Sequence, residues 1–257
     1  MKKYERTIVC VINVLFGEPM DKSYFRQIFE PQLKKPILVE GLTGLGNVGM
    51  IAARHLIEVT DAKVFAELYT PYFPDYVAIT KDGTCRPPHY QFYAAKTEKN
   101  HYIILTGDSQ PSMDDTLAYY DVCDEILDFA EKHGSRFIVT MGGVTTQNSA
   151  KEVYIAATSE KLAKKHLAKG TQIYGEGRIV GTTGLLLGLA KRRGWKGICL
   201  LGATTGFGAE RGVGLSIFKT LTSILEDDTK KETGEKQERT QNRKDDKTPE
   251  ESLKGLF

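Results

Sequence analysis

The residues whose types and spacing most resemble a chemical motif are three glycines in the stretch GLTGLGNVG, arranged as Gly44-x-Gly46-x-x-Gly49. An apolar run over residues 36–40 precedes them, and a repeating apolar pattern over residues 48–57 follows them. This order predicts a strand, a tight turn and a helix, which is the context of a dinucleotide-binding loop. In such a loop the backbone approaches a pyrophosphate at the N-terminus of the helix.

A dinucleotide site needs one further group, an acidic residue about 20 positions on that binds the ribose hydroxyls. Glu67 satisfies that count, but residues 68–74 contain two prolines where another crossover helix would normally follow. A tight turn and close packing of helix on sheet also account for the three glycines. We therefore interpret the loop as structural, with no cofactor, and keep a nucleotide- or dinucleotide-binding enzyme as the alternative.

Other predicted strand ends carry small or polar residues but no catalytic set. Ser109 lacks the G-x-S-x-G elbow of a hydrolase, and Asp114 or Asp115 is assigned to the start of the next helix, where Asp caps free backbone N–H groups. Residues 181–184 are a weak candidate for an anion cradle at a helix start, because they lack the Gly-Lys-Ser/Thr of a P-loop. The other strand ends are Thr106–Asp108, Met141–Gly143 and Gly202–Thr204.

The histidines and cysteines show no metal-binding spacing. Neither H-E-x-x-H nor H-x-H occurs, and the cysteines lie too far apart for a zinc knuckle or a C-x-x-C motif. We predict no metal site and free thiols, with Cys199 packed in the core because it lies inside an apolar run. The residues concerned are His55, His89, His101, His133, His166, Cys10, Cys85, Cys123 and Cys199.

The charge balance excludes two classes of partner. The 257 residues include 35 basic and 33 acidic side chains, for a formal net charge of +2. Such a balance provides no broad positive electrostatic potential to attract nucleic acid or an anionic membrane. No stretch has the pattern of a signal peptide, and no apolar run approaches the ~20 residues of a membrane span. We expect a soluble, cytoplasmic protein.

The hydrophobic patterns predict strands that alternate with helices. Gly134, Gly170 and Gly194 are placed to end the last three helices. The predicted strands are Thr7–Ile12, one beginning at Ile37, Lys63–Leu68, Tyr76–Ile79, Tyr102–Leu105, Phe137–Thr140, Val153–Ala156 and Gly197–Leu201, and the predicted helices are Val48–Val59, Asp115–Lys132, Glu160–Ala168 and Thr183–Lys191.

This alternation predicts the α/β class, as a three-layer α/β/α sandwich. Right-handed crossovers between parallel strands place helices on both faces of a mostly parallel sheet. The prolines of residues 68–102 favour strands or hairpins over helices, which makes the sheet mixed. We predict that residues 1–225 form one domain.

Residues 226–257 are predicted to be a charged, flexible C-terminal tail. Residues 226–254 contain one apolar side chain, so burial cannot offset the entropy of ordering them. The chain then reads Leu-Lys-Gly-Leu-Phe, an apolar tip on a polar tether. Because a tether raises the local concentration of a small anchor, Leu256 and Phe257 are candidate partner-binding residues.

Taken in order, five stretches of the chain resemble the archaeal and bacterial members of the family named for the second eukaryotic proteasome assembly chaperone. Their order is specific, since a Rossmann enzyme has no reason to follow its glycine loop with Phe-Pro and then Thr-Gly-Asp-Ser-Gln-Pro. The stretches are GLTGLGNVGMIAARHLIE, YFPDYVAI with KDGTCRPPHYQFY, IILTGDSQP, IVTMGGVTT and GEGRIVGTTGLLLGLAKRRGWKGICLLGATTG, which together span about residues 36–207.

The resemblance implies a nucleoside-phosphorylase-like core that forms homo- or hetero-oligomers and helps proteasome α-subunits to form rings, without catalysis. The resemblance also implies that members that contact the proteasome end in a tail of three residues. These are a hydrophobic residue, a tyrosine and any residue, in that order. Here Gly255 stands at the hydrophobic position and Leu256 at the tyrosine position, so the tip departs from that pattern. The sequence thus predicts a non-enzymatic oligomeric scaffold that binds proteasome α-subunits or a paralogous partner.

Overall fold

The structure of the protein is a computed structural model that describes residues 20–112, 114–146, 152–167 and 171–226. The strand predicted at residues 7–12 and the helix end predicted at Gly170 lie outside these ranges. So do residues 227–257, which include the predicted tip at Leu256 and Phe257.

The described residues form eleven strands and five α-helices. The strands are β1 (Tyr24–Gln27), β2 (Ile37–Glu40), β3 (Lys63–Tyr69), β4 (Ala78–Ile79), β5 (Cys85–Arg86), β6 (Tyr90–Lys96), β7 (His101–Gly107), β8 (Phe137–Thr145), β9 (Val153–Ala157), β10 (Thr171–Ile173) and β11 (Lys196–Thr204). The helices are α1 (Val48–Val59), α2 (Thr116–Lys132), α3 (Glu160–Lys165), α4 (Gly181–Arg192) and α5 (211–226).

Nine of these strands form one mixed sheet in the order β1-β3-β6-β7-β2-β8-β11-β9-β10. The four central strands β7, β2, β8 and β11 are parallel to one another. On one side β6, β3 and β1 add antiparallel pairs, and on the other side β9 runs antiparallel to β11. The central strands are apolar on both faces, as a doubly covered sheet requires.

Helices cover the parallel centre on both faces. Helices α1 and α5 pack on one face, with residues such as Ala52, Leu56 and Ile217 fully or almost fully buried. Helices α2 and α4 pack on the other face, around residues such as Ile126 and Leu186. The predicted three-layer α/β/α sandwich with a mixed sheet is therefore confirmed.

The helix boundaries follow the local sequence signals. Helix α1 has the predicted bounds, and the Asp115 side chain caps α2 by accepting a hydrogen bond from the backbone N–H of Ala118 at 3.0 Å. Gly134 and Gly194 have φ values of 86° and 74°, so each takes the left-handed conformation that commonly ends a helix. Helix α4 begins at Gly181, two residues before the predicted start.

Five elements were not predicted with bounds, and one strand is shorter than expected. Residues 76–79 were predicted as a strand, but only Ala78 and Ile79 pair, in a small hairpin with β5 that stands apart from the main sheet. Strands β5 and β6 lie within residues 68–102, where strands or hairpins were expected without bounds, and the elements that were not predicted at all are β1, β10 and α5.

Candidate functional site

A cleft lies where the loops after two adjacent parallel strands diverge. Strand β2 leads into α1 on one face of the sheet, and its neighbour β7 leads into α2 on the opposite face. In open α/β sheets this divergence opens a crevice at the carboxyl ends of the strands, where ligands bind. The cleft has a volume of about 1020 Å³.

The glycines of the loop after β2 fit its tight turn and its packing. Gly46 has a φ of 62°, a left-handed conformation that glycine adopts without strain. A Cβ atom on Gly49 would lie 2.1 Å from the carbonyl oxygen of Met141, and one on Gly41 would lie 2.3 Å from the carbonyl oxygen of Gly49. Helix α1 therefore packs on β8 at a distance that only glycine permits.

Glu67 does not lie beside the glycine loop. Strands β7 and β6 separate β2 from β3, which carries Glu67, so three strand spacings or ~14 Å intervene. The Glu67 carboxylate instead accepts hydrogen bonds from Arg26 Nη1 at 3.2 Å and from the Tyr69 hydroxyl at 3.0 Å. The ribose-binding arrangement of the alternative hypothesis is therefore not formed by this residue.

A different acidic residue, Glu40, lies beneath the cleft at the end of β2. Its side chain is fully buried. Its carboxylate accepts hydrogen bonds from the backbone N–H groups of Leu42 (3.2 Å) and Met141 (3.4 Å) and from the Thr183 hydroxyl (3.1 Å). Burial raises the pKa of Glu40 to about 7, and these neutral donors offset only part of that rise.

Gln110 ties together three loops at the cleft. Its amide nitrogen donates to the backbone carbonyl of Thr43 at 2.6 Å, and its amide oxygen accepts from the backbone N–H of Thr182 at 3.0 Å. The weak candidate for an anion cradle at residues 181–184 therefore lies at the cleft, but one of its backbone donors is already bonded to Gln110. Gly181 takes a φ of 75°, and a Cβ atom there would lie 2.7 Å from the Gln110 side chain.

The walls of the cleft are apolar and aromatic, with hydroxyl and amide groups and a single charge. Tyr119 and Tyr174 supply aromatic rings, and Arg178 is the only charged residue among the described lining residues. No Asp, Glu, His or Cys belongs to that described lining. The walls can orient a molecule, but they bring no acid–base pair to it.

A second polar cluster lies beside the cleft, where the β4–β5 hairpin meets the end of β7. Arg86 donates hydrogen bonds to both carboxylate oxygens of Asp108, at 2.5 and 3.0 Å. The hydroxyl of Tyr76 reaches the backbone carbonyl of Asp108 at 3.4 Å. These contacts fix the hairpin against the main sheet.

His89 completes this cluster as a buried, neutral ring. Arg86 lies 2.7 Å from His89 Nδ1, and because a guanidinium only donates, Nδ1 accepts and Nε2 carries the proton. Burial first, and then the charge of Arg86, lower the pKa of His89. The ring stacks on Tyr69, which stacks on Tyr24, with centroid separations of 5.2 Å in both pairs.

Glu40 and Gln110 were not predicted as site residues, although the sequence contains a feature that marks each of them. Glu40 is an acid at the end of an otherwise apolar run, and Gln110 follows Asp108 at a predicted strand end. Cys199 was correctly placed in the core: it is fully buried, and burial raises the pKa of its thiol to about 12.

The protein is an α/β/α sandwich with a cleft at the carboxyl ends of its parallel strands, and comparison with known proteins specifies its family. The chain belongs to the PAC2 family, whose model matches residues 38–240. The family resemblance of the five sequence stretches is thereby confirmed. An uncharacterized protein of Methanocaldococcus jannaschii is 35% identical to the chain over 178 residues, which cover 68% of each protein.

Two solved structures share the fold over most of the chain. Pyrococcus furiosus PbaB, described as an archaeal proteasome activator, is 32% identical with a TM-score of 0.77, and the match covers 88% of this chain and 100% of PbaB. Pyrococcus furiosus PbaA, described as an archaeal homolog of proteasome-assembly chaperone, is 24% identical with a TM-score of 0.66, covering 88% and 92%. At that identity the likeness to PbaA shows the fold alone.

Within the part of the chain that the structure describes, no helix has the length and apolar character needed to span a bilayer.

Proposed function

We propose that this protein is a non-enzymatic, oligomeric scaffold of the proteasome-assembly type, which binds proteasome α-subunits or a paralogous PAC2 protein in the cytoplasm. Membership of the PAC2 family, with 32% identity to the proteasome activator PbaB along the whole of that protein, carries the proposal. The described walls of the cleft support it, because they hold no acid–base or nucleophile–base pair.

The β4–β5 hairpin is the folded surface that we assign to partner binding. Ile79 lies in β4 and Val77 lies just before that strand, and their side chains are 65% and 56% exposed. Exposed apolar side chains on a projecting, anchored element favour protein association, because binding removes them from water at little cost in ordering. The anchor is the bidentate bond between Arg86 and Asp108.

The C-terminal tail supplies a second contact in this proposal. Leu256 and Phe257 are its anchor residues, and the charged residues before them act as the tether. In an oligomer, several such tips gain avidity even where each one binds weakly.

The test mixes the full chain with purified archaeal proteasome α-subunits, and separately with a paralogous PAC2 protein. Size-exclusion chromatography and native mass spectrometry measure complex formation and the mass of the chain alone. We expect a homo-oligomer that forms a complex with one of the two partners. Absence of both complexes at low and at high salt would contradict the proposal.

Two variants then separate the two contacts. The double variant Val77→Ser/Ile79→Ser is expected to weaken complex formation at least tenfold, as is typical when apolar anchors are lost from an interface. The variant Val59→Ser changes an equally exposed valine at the end of α1 and is the matched control. The double substitution Leu256→Ser/Phe257→Ser tests the tail, with a smaller expected loss.

A further inference from the structure

We propose that the cleft binds a small organic molecule that has an aromatic or aliphatic body and one anionic group, a carboxylate or a phosphate. This inference does not depend on the proposed partner binding, because it concerns a pocket of the folded domain rather than the hairpin or the tail.

The position of the cleft is the first argument. It opens between β2 and β7, whose following helices lie on opposite faces of the sheet. Ligands of open α/β domains bind at this kind of divergence. Its volume of about 1020 Å³ reaches the upper end of the range for small-molecule pockets.

The lining argues for the apolar body. Leu45 and Val180 are exposed residues of the cleft lining, and Ile179, Tyr119 and Tyr174 are partly exposed residues of the same lining. An apolar or aromatic body would displace water from these surfaces and gain the hydrophobic contribution to binding.

The single charge of the lining argues for the anion. Arg178 is the only charged residue among the described walls, and its side chain is exposed rather than packed in the core. Among the described residues, Arg178 takes part in one hydrogen bond, in which its backbone carbonyl accepts from the Tyr174 hydroxyl at 3.3 Å. A guanidinium at the mouth of an otherwise neutral cleft complements one carboxylate or phosphate, which it binds through paired hydrogen bonds.

Hydrogen bonds between side chains and backbone fix the shape of the cleft floor. Gln110 bonds both to the loop after β2 and to the start of α4, so three walls are joined through one side chain. The Thr183 hydroxyl, which lies at the cleft, donates to the buried Glu40 carboxylate and is fixed by that bond. A cleft with fixed walls loses little entropy when a molecule enters it.

The test is calorimetric titration of the full chain with matched naphthalene probes. The probes are 2-naphthoate, 2-naphthyl phosphate and neutral 2-naphthamide, which share one aromatic body. We expect at least one anionic probe to bind about tenfold more tightly than the amide, the effect of one charge-assisted contact. The anionic probe with the higher affinity shows whether the cleft prefers a carboxylate or a phosphate. No binding of either anion at 1 mM would overturn the proposal.

Two variants locate the binding. Gly44 has extended backbone, and a Cβ atom there would lie 3.7 Å from the Gln110 side chain on the cleft wall, so Gly44→Leu fills the cleft. It is expected to abolish binding of all three probes, while Gly188→Leu, at a site with open space on α4, leaves binding unchanged. Equal affinity of Gly44→Leu and the unmodified chain would show that the probes bind elsewhere and would overturn the proposal.

The second variant tests the charge. Arg178→Gln is expected to bring the affinity of the anionic probe down to that of the amide, and the exposed Arg192→Gln is its control. A preference for the anion that survives Arg178→Gln would contradict the assignment. Thermal unfolding verifies that each variant folds, and Thr145→Phe, which fills the cleft from another wall, replaces Gly44→Leu if that variant does not fold.

Discussion

The parallel centre of the sheet and its antiparallel extension, taken together with the β4–β5 hairpin and with the Asp108 side chain that the hairpin contacts, hold their ionisable groups in opposite ways. In the centre, the Glu40 carboxyl accepts hydrogen bonds from neutral donors only, and burial raises its pKa to about 7. In the extension, partial burial also acts to raise the pKa of Asp108, but hydrogen bonds from Arg86 and from the backbone of His89 outweigh burial and lower it. Burial therefore determines the favoured form at Glu40, which has no cation beside it among the described residues, whereas at Asp108 the hydrogen bonds and the charge of Arg86 together reverse the effect of partial burial.

The same two regions also differ in what holds them together. The centre relies on close approach of backbone to backbone, as at Gly49 and Met141. The extension relies on the ion pair between Arg86 and Asp108 and on stacked rings that include His89. Substitutions of the close-packed glycines in the centre should therefore act through steric overlap, whereas substitutions of Arg86 or Asp108 in the extension should act through charge.

The largest effect is expected from Gly49→Ala. The added Cβ atom would lie 2.1 Å from the carbonyl oxygen of Met141, so α1 must move away from β8. We expect the free energy of unfolding in urea to fall by about 3 kcal/mol. Gly188→Ala on α4 meets no atom within 4 Å and is the control, with an expected gain of ~0.5–1 kcal/mol. A loss below about 1 kcal/mol for Gly49→Ala would show that the centre is not close-packed there.

Local signals allowed much of the fold to be predicted. The bounds of α1 follow from its apolar spacing, and Asp115 indicated the start of α2. Helix α5 left a readable pattern as well, since Val213, Ile217 and Leu221 repeat at helical spacing and are buried. Strand β1 left almost none, because it has four residues and three of them are exposed.

The candidate site was harder to predict, because distance along the chain is not distance across a sheet. Glu67 stands at the right count after the glycines, but the strand order places β6 and β7 between it and the loop. Glu40 precedes the glycines and is near Met141 and Thr183, which are 101 and 143 residues away in sequence. Such neighbours follow from sheet order, which hydrophobic periodicity does not determine.

The second prediction concerns the pH dependence that Glu40 imposes. The pKa of this acid is raised from 4.5 to about 7 by burial, so the protonated form is favoured by the fold. Its contribution to stability is fully present below pH 4.5 and is lost as the pH rises to about 7, by roughly 3 kcal/mol. Urea unfolding of Glu40→Gln at intervals from pH 4.5 to 8 is expected to lack this decline. An unchanged slope in that variant would show that another group is responsible.

The third prediction concerns the ion pair of the extension. Arg86→Gln removes the cation from Asp108, whose side chain is 26% exposed, so the carboxylate keeps solvent and the His89 backbone N–H as partners. We expect the free energy of unfolding to fall by about 1–2 kcal/mol, between the values for surface and buried pairs. Lys63→Gln, which breaks the exposed pair with Asp61, is the control and should cost less than about 0.5 kcal/mol. Equal losses in both variants would contradict a special role for Arg86.

The smallest effect on stability is expected from His89. The change of its contribution with pH has the opposite sign to that of Glu40. Burial and the nearby Arg86 lower the pKa of His89 below 6.5, so protonation favours the unfolded chain. Stability is therefore lost as the pH falls from 6.5, in the range where Glu40 gains it. His89→Asn keeps an acceptor for Arg86 and removes the titration, so its stability should decline less than that of the unmodified chain below pH 6.5. The exposed His55→Asn is the control.

The double variant Glu40→Gln/His89→Asn should lose both contributions to the change of unfolding free energy with pH. The two groups lie in separately stabilised regions, so their effects should add.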